Sequence, residues 1–342
     1  MKNLFISINL ICLLQISVPL HGSEKNVNIY SARKEELILP LLKIFKKETG
    51  INYKLITGKA DGLLKRLEIE GKLSPADIFI TVDAGRLQRA KNAGVLQQIN
   101  NKILKEKIPS NLRDSNNYWF GLSQRSRTII YNKNKVSEKS LSNYENLAEP
   151  KWRGRLCIRS SSSIYNQSLV ASMIVANGKV RTEEWAKGLV KNFARPPAGG
   201  DTDLLKATAA GQCDIALANT YYLGRMKNSK SEQVRKSSEN LLVFWPNQNE
   251  DERGAHVNVS GAGITKYSKN IKNAEALLEF LVKDDSQRWY AEVNNEYPVV
   301  NGIDESDTLK GFGKFRADTL NLSKLGEMNR EAVKLMDRAG WR

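Results

Sequence analysis

Histidine and cysteine are nearly missing from this chain: its 342 residues hold two His and three Cys. So few imidazole and thiol ligands exclude a His-rich zinc or copper centre, a zinc ribbon and a disulfide-dense scaffold. Acidic residues are outnumbered, 37 Asp and Glu against 53 Lys and Arg, giving a formal charge of +16. The lysines are spread over helix faces (Lys43, Lys46, Lys47, Lys65) and form no dense tract. The charge therefore points to anionic surfaces, substrates or partners, and not to nucleic acid. Catalytic signatures are missing too. No G-x-x-x-x-G-K-[ST] loop, no G-x-G-x-x-G between strand and helix and no G-x-S-x-G elbow occurs, and Cys157 and Cys213 are too far apart for a C-x-x-C pair. The expectation is a protein that is not an enzyme.

What is present is a globular composition, 41% hydrophobic and 26% charged, long enough for about two domains of ordinary size. The first residues stand apart. Lys2 precedes an apolar run from Leu4 to Leu20, followed by the small residues Gly22 and Ser23, which reads as a cleavable signal peptide over 1–22. An uncleaved amphipathic anchor is the alternative. Cys12 follows Ile11, where a lipoprotein signal needs a small residue. No later stretch reaches the roughly 18 apolar residues of a membrane helix. Removal of 1–22 leaves His256, Cys157 and Cys213 as the only residues of their types. In an oxidising compartment the two cysteines form one disulfide or remain two buried thiols.

The pattern along the chain alternates. Asn26–Ser31, Ile51–Ile56 and Ala76–Val82 read as strands, separated by amphipathic helices over Glu35–Thr49, from Asp61 to Glu70 and from Asp83 to Ala93. A second series follows: a strand Trp119–Asn132 with a polar interruption at Ser123–Arg127, Arg155–Ile158, a serine run, two helices, and Asp214–Ala218 leading into a helix at Tyr221. His256–Ile264 reads as a return strand, and helices at Asn273–Lys283, Ser286–Asn294 and Leu322–Ala339 finish the chain. The expected fold is α/β with two lobes. Lobe 1 covers 23–124, lobe 2 covers 125–258, and 259–342 returns to lobe 1 and ends in helices.

The positive chemical signals are tyrosines. Tyr221 and Tyr222 lie where a strand passes into a helix, the end at which α/β folds gather ligands. A phenol ionises near pH 10, but a hard trivalent cation displaces its proton. Tyr165 follows the run Ser160–Ser163, whose helix start suits either an anion or placement of the tyrosine at the cleft. Arg125 and Arg127 occupy the strand between lobes. For each, ordinary packing is the competing explanation. Asp83 fits a helix cap, and His256 fits a structural role on an alternating strand.

Several stretches together resemble the iron-binding substrate-binding proteins of ferric-iron ABC transporters, particularly the Fut type of photosynthetic bacteria. They are NIYSAR (28–33), ADIFITVDAGRL (76–87), GLSQRSRTIIYNK (121–133), KWRGRLCIRSSSSIYNQSLVASMI (151–174), GGDTDLLKATAAGQCDIALANTYYLGRM (199–226) and HVNVSGAGI (256–264). The resemblance implies a type II periplasmic binding fold, each lobe a mainly parallel sheet flanked by helices, with the ligand in the inter-lobe cleft. It implies a monomeric periplasmic protein that carries iron as cargo, Fe3+ first and Fe2+ as the second possibility, to a membrane permease and its ATPase. In that family the residues matching Tyr165, Tyr221 and Tyr222 are iron ligands, and Arg125 matches an arginine that neutralises charge or holds an anion.

One motif departs. Where the family reads Y-S-x-R-H-Y, this chain reads Tyr30-Ser31-Ala32-Arg33-Lys34-Glu35. Lys34 replaces the histidine and Glu35 the tyrosine, so Glu35 is either a substituted hard-oxygen ligand, direct or through water, or simply the start of a helix. The alternative cargo is an oxyanion such as phosphate or sulfate, held by Ser160–Ser163 and the arginines.

Overall fold

The computed structural model describes residues 25–342; the leader over 1–22 lies outside them. No helix of the described residues is long and apolar enough to cross a membrane. Eight strands form the framework: β1 Asn26–Ser31, β2 Asn52–Thr57, β3 Ile78–Val82, β4 Phe120–Asn132, β5 Leu156–Cys157, β6 Ile215–Asn219, β7 Leu241–Phe244 and β8 Val257–Ile264. Their order is β2-β1-β3-β8-β4-β6-β5, with β7 also on β4. The architecture is the expected two-lobe α/β form.

The parallel character expected of each sheet holds for β2-β1-β3 and for β5-β6. The two long strands add antiparallel pairs. β4 ladders with β8 through Ser126, and from Arg127 onward pairs with β6 and β7. One continuous strand thus belongs to both sheets. The polar interruption at Ser123–Arg127 does not break it: these side chains are polar because they lie at the junction, where Arg127, Ser126 and Arg125 find bonding partners on facing elements. An uninterrupted alternation is needed only where one face is apolar throughout.

Local boundaries follow backbone chemistry. The helix expected over Glu35–Thr49 splits into a 3-10 turn, Glu35–Leu37, and a helix Leu39–Thr49 carrying Pro40 in its first turn. Proline suits a helix start but removes a donor and clashes with the turn before it. Asp61 lies inside the first turn of Ala60–Glu70, with Lys59 at the cap position. Asp83 is the cap of Ala84–Asn92, its Oδ1 accepting from the Gly85 N–H at 2.9 Å. Helix Ile164–Lys191 is broken at Gly178, where φ is 77°, a conformation that glycine adopts without strain. The C-terminal helix Asn329–Arg338 lies against Ile164–Lys191, and the Trp341 indole donates to the Arg159 carbonyl at 2.9 Å. The end of the chain therefore braces the second series of elements as well as the first. Cys157 and Cys213 are joined by a disulfide, tying β5 to the turn that leads into β6.

Candidate metal centre

β6 is fully buried and ends at Asn219, so helix Thr220–Lys227 begins at the mouth between the lobes with Tyr221 and Tyr222 in its first turn. Their rings pack with centroids 4.3 Å apart. Tyr165 arrives on the first turn of Ile164–Lys191, after the serine run, and its hydroxyl accepts a hydrogen bond from the Tyr221 hydroxyl at 3.2 Å. All three phenols line one cavity of about 210 Å3 with Ala32, Arg33, Lys34, Val82, Arg225 and Glu296. The structure thus brings Tyr165, Tyr221 and Tyr222 together from elements far apart in sequence.

Guanidinium groups surround these rings. The Tyr165 centroid has Arg125 at 5.5 Å, Arg159 at 5.4 Å and Arg127 at 6.0 Å. Arg225 stands 4.9 Å from the Tyr221 ring and 5.7 Å from Tyr222. Their charges are not equally spoken for. Arg127 is paired with Asp201 at 3.0 Å and donates to Asn166 and to the Leu217 carbonyl. Arg125, 1% exposed, has one bond from Nη1 to the Ser260 hydroxyl at 3.1 Å, and its Nη2 has no partner. A buried donor left open is costly unless something fills the site. Burial opposes the Arg125 charge, yet nearby Tyr165, Tyr221, Asp83 and Glu296 win and raise its pKa.

Tyr221 and Tyr222 hold their protons tightly. Burial, then the neighbouring Tyr165 and Tyr222, pushes Tyr221 well above the usual phenol value. Burial and Tyr165 push Tyr222 up to about 12. A cation strong enough to displace those protons would meet hard anionic oxygens in a site already flanked by positive charge.

The opposite wall differs. Lys34 lines the cavity, but Glu35 is exposed at the start of its 3-10 turn and is not among the lining residues. The structure does not bring Glu35 to the tyrosines. A carboxylate does line this wall: Glu296, buried, bonded to Arg33 at 3.0 Å and accepting from the Ser123 hydroxyl. Burial opposes its charge, but Arg33, Arg125 and Ser123 hold its pKa below the ordinary carboxylate range. Sequence reading misses Glu296 because it arrives from remote chain, through a π turn Tyr290–Asn294 and a left-handed Asn295. A Cβ on Gly224 would lie 2.8 Å from the Asn295 side chain, so the tyrosine helix and this loop approach each other only because residue 224 is glycine. Sequence reading also misses Arg225, although it stands one helical turn after Tyr221, a spacing legible in the sequence.

Other expected residues fall elsewhere. Asp83 caps its helix and also accepts from Ser168 at 2.7 Å and Asn258 at 2.9 Å, linking the lobes. His256 is buried and does not line the cavity; burial and then Arg253, Arg127 and Arg125 hold its pKa well below the usual imidazole value. In the serine run, the Ser160 and Ser162 hydroxyls bond each other at 2.6 Å, and Ser163 is buried at the helix start with its hydroxyl unpartnered.

Residues 74–311 match the family described as bacterial extracellular solute-binding protein. The chain is 47% identical over 321 residues to "Iron uptake protein A1" of Synechocystis sp., covering 94% of this chain and 89% of that one. Among solved structures it is similar to Trichodesmium (IdiA) (FutA) in complex with iron and citrate, with a TM-score of 0.90 and 50% identity over 93% of this chain and all, 100%, of that chain. A ferric binding protein from Campylobacter jejuni superposes with a TM-score of 0.87 and 41% identity, covering 92% of this chain and 100% of the other.

Proposed function

This chain belongs to the bacterial extracellular solute-binding protein family, and from that premise we propose that it is the periplasmic iron-binding component of an ABC importer. It takes up ferric iron on the phenolates of Tyr165, Tyr221 and Tyr222 and delivers it to a membrane permease, with no catalytic turnover. The observation that carries this reading is the meeting of three tyrosine hydroxyls in one inter-lobe cavity under an incompletely bonded Arg125. Three phenolates balance the charge of Fe3+, and hard oxygen donors suit a hard cation. Arg125 then holds charge or an anion that completes the coordination sphere. Iron in the names of the relatives supports this cargo over the oxyanion alternative.

We place the lobe boundaries at 124/125 and 258/259, within β4, which passes from one sheet to the other, and within β8, which ladders with the first half of β4. Closure is a bend of these two strands that brings the Arg33–Leu37 wall against the tyrosines. Glu35 is left out of the ligand set. The test is an absorbance titration of purified protein with a ferric chelate. A saturable visible band near one equivalent, from phenolate-to-iron charge transfer, is expected, and it is lost in Tyr221→Phe and Tyr222→Phe. A folded protein that gives no band would overturn the ferric reading and bring the oxyanion forward.

A further inference from the structure

The chain carries an excess of positive charge that the cavity does not use. Five exposed lysines lie at the end of the first lobe farthest from the tyrosines. β1 leads from Lys25, the residue before it at that end, to Ser31 beside the cavity, a separation of roughly 20 Å at 3.3 Å per residue. The segments meeting at the far end are bonded to each other. The Asn52 N–H donates to the Lys25 carbonyl, Lys266 N–H to the Val95 carbonyl, and the Asn273 amide to the Asn26 carbonyl at 2.8 Å.

Two kinds of side chain stand out there. Lys25, Lys72, Lys266, Lys269 and Lys272 are exposed. The ion pairs of this lobe are made by other lysines, such as Lys65 with Glu68 and Lys283 with Glu48; among the described residues these five make no ion pair, and Lys266 lies 5.5 Å over the Tyr267 ring. Several nearby carboxylates are already engaged, Glu68 of the groove with Lys65 among them. Asp77 is buried and accepts from Asn28, Ser268 and Asn270, and Glu70 is held by Arg66, Tyr30 and Ser74. Among the lysines lie large apolar groups open to water: Leu73 is 88% exposed, Ile69 75%, Ile271 42% and Tyr267 37%. Ile69 lies in the last turn of helix Ala60–Glu70, and Leu73 in the 3-10 turn Gly71–Leu73 that follows it. Leu67, Gly71, Gly94 and Tyr267 line a groove of about 290 Å3 in the same face.

Lysines that only solubilise a surface do not need bare leucine and isoleucine between them. A polyanion site would use the lysines and leave the apolar groups without a role. An anionic bilayer uses both, because aliphatic side chains enter the headgroup boundary while lysines pair with lipid phosphates, each worth on the order of 1 kcal/mol near the surface. Tyrosine is at home at that interface.

We propose that this end of the first lobe seats the protein on an anionic phospholipid surface. Leu73, Ile69, Tyr267 and Ile271 enter the headgroup layer, and the five lysines meet its phosphates. The tyrosine cavity then faces away from the membrane, toward arriving iron, in a capture orientation distinct from delivery.

The experiment is co-sedimentation of purified protein with vesicles of phosphatidylcholine containing about one-third phosphatidylglycerol, against vesicles of phosphatidylcholine alone. Two variants accompany it, Ile69→Ser/Leu73→Ser and Lys266→Glu/Lys269→Glu/Lys272→Glu. All carry the same N-terminal sequence, so partition driven by the leader would be untouched by these substitutions. Wild type should pellet with the anionic vesicles only, and each variant should bind about tenfold less or weaker still. Both variants should keep the ferric absorbance titration, which shows that they are folded. No binding to anionic vesicles, or binding that both variants retain, would overturn the proposal. Loss in the lysine variant alone, with equal capture on heparin, would also overturn it and identify a polyanion site.

Discussion

The two walls of the cavity are built on opposite principles. The second-lobe wall presents three phenols held by a buried strand end, a helix start and packed arginines. The first-lobe wall presents Lys34, Arg33 and a carboxylate, Glu296, already committed to Arg33 and Ser123. One wall offers donors and the other offers charge. The difference teaches that a binding site between lobes need not divide its ligands evenly. Here the metal-binding chemistry can reside in one lobe, while the other supplies the field and the lid.

The largest expected effect comes from removing a donor. Tyr221→Phe should lower ferric affinity by about a thousandfold, roughly 4 kcal/mol, measured by competition with citrate. Next come the arginines, whose partners differ. Arg127→Met leaves buried Asp201 with only the more distant Arg159 at 3.8 Å and the Asn219 N–H and should destabilise the apo protein by about 3 kcal/mol, read by chemical denaturation. Arg125→Met removes a buried charge that has no carboxylate partner within ion-pair distance, so it should cost the apo protein less stability than Arg127→Met while weakening iron binding about tenfold. If both arginines behaved alike, the distinction drawn from their bonding would fail.

Acidity comes next. The raised phenol pKa values of Tyr221 and Tyr222 mean that iron must expel protons. Affinity should therefore climb with pH, by up to about tenfold per unit for each proton released, and proton release on loading can be titrated directly. Apo stability has its own dependence through His256. Its folded pKa is depressed by burial, so below about pH 6.5 the unfolded chain takes up a proton that the folded one refuses. Stability should fall as pH drops through that range, and His256→Gln should flatten the thermal-melting profile. The smallest effect belongs to the other wall: Glu35→Ala should change ferric affinity by less than about twofold, within the range of an exposed surface substitution.

Much of this architecture is legible in the amino-acid pattern. β1 is found at Asn26–Ser31 as its alternation indicates, and the strand-to-helix passage that carries Tyr221 and Tyr222 is where the pattern puts it, because a fully buried strand and a polar helix start leave strong local marks. The split at Ile38 is less visible, since Leu37 and Leu41 keep a helical spacing across it while Pro40 prevents one continuous helix. Glu35 lies in the 3-10 turn before that split and is exposed. Glu296 has no local signal, because its place in the cavity depends on a π turn, on Asn295 at φ 56° and on the absence of a side chain at Gly224. Periodicity reports which face of an element is buried, and it is silent on which distant loop will be brought against that face.

The central claim is that iron rests on the second-lobe phenols and takes no ligand from position 35. The most direct measurement is iron dissociation under citrate competition at one fixed pH, made in parallel on wild type, Tyr222→Phe and Glu35→Ala. The account predicts that Tyr222→Phe loses iron at least about a hundredfold more readily, while Glu35→Ala follows wild type within about twofold. A Glu35→Ala protein that loses iron as readily as Tyr222→Phe would contradict it.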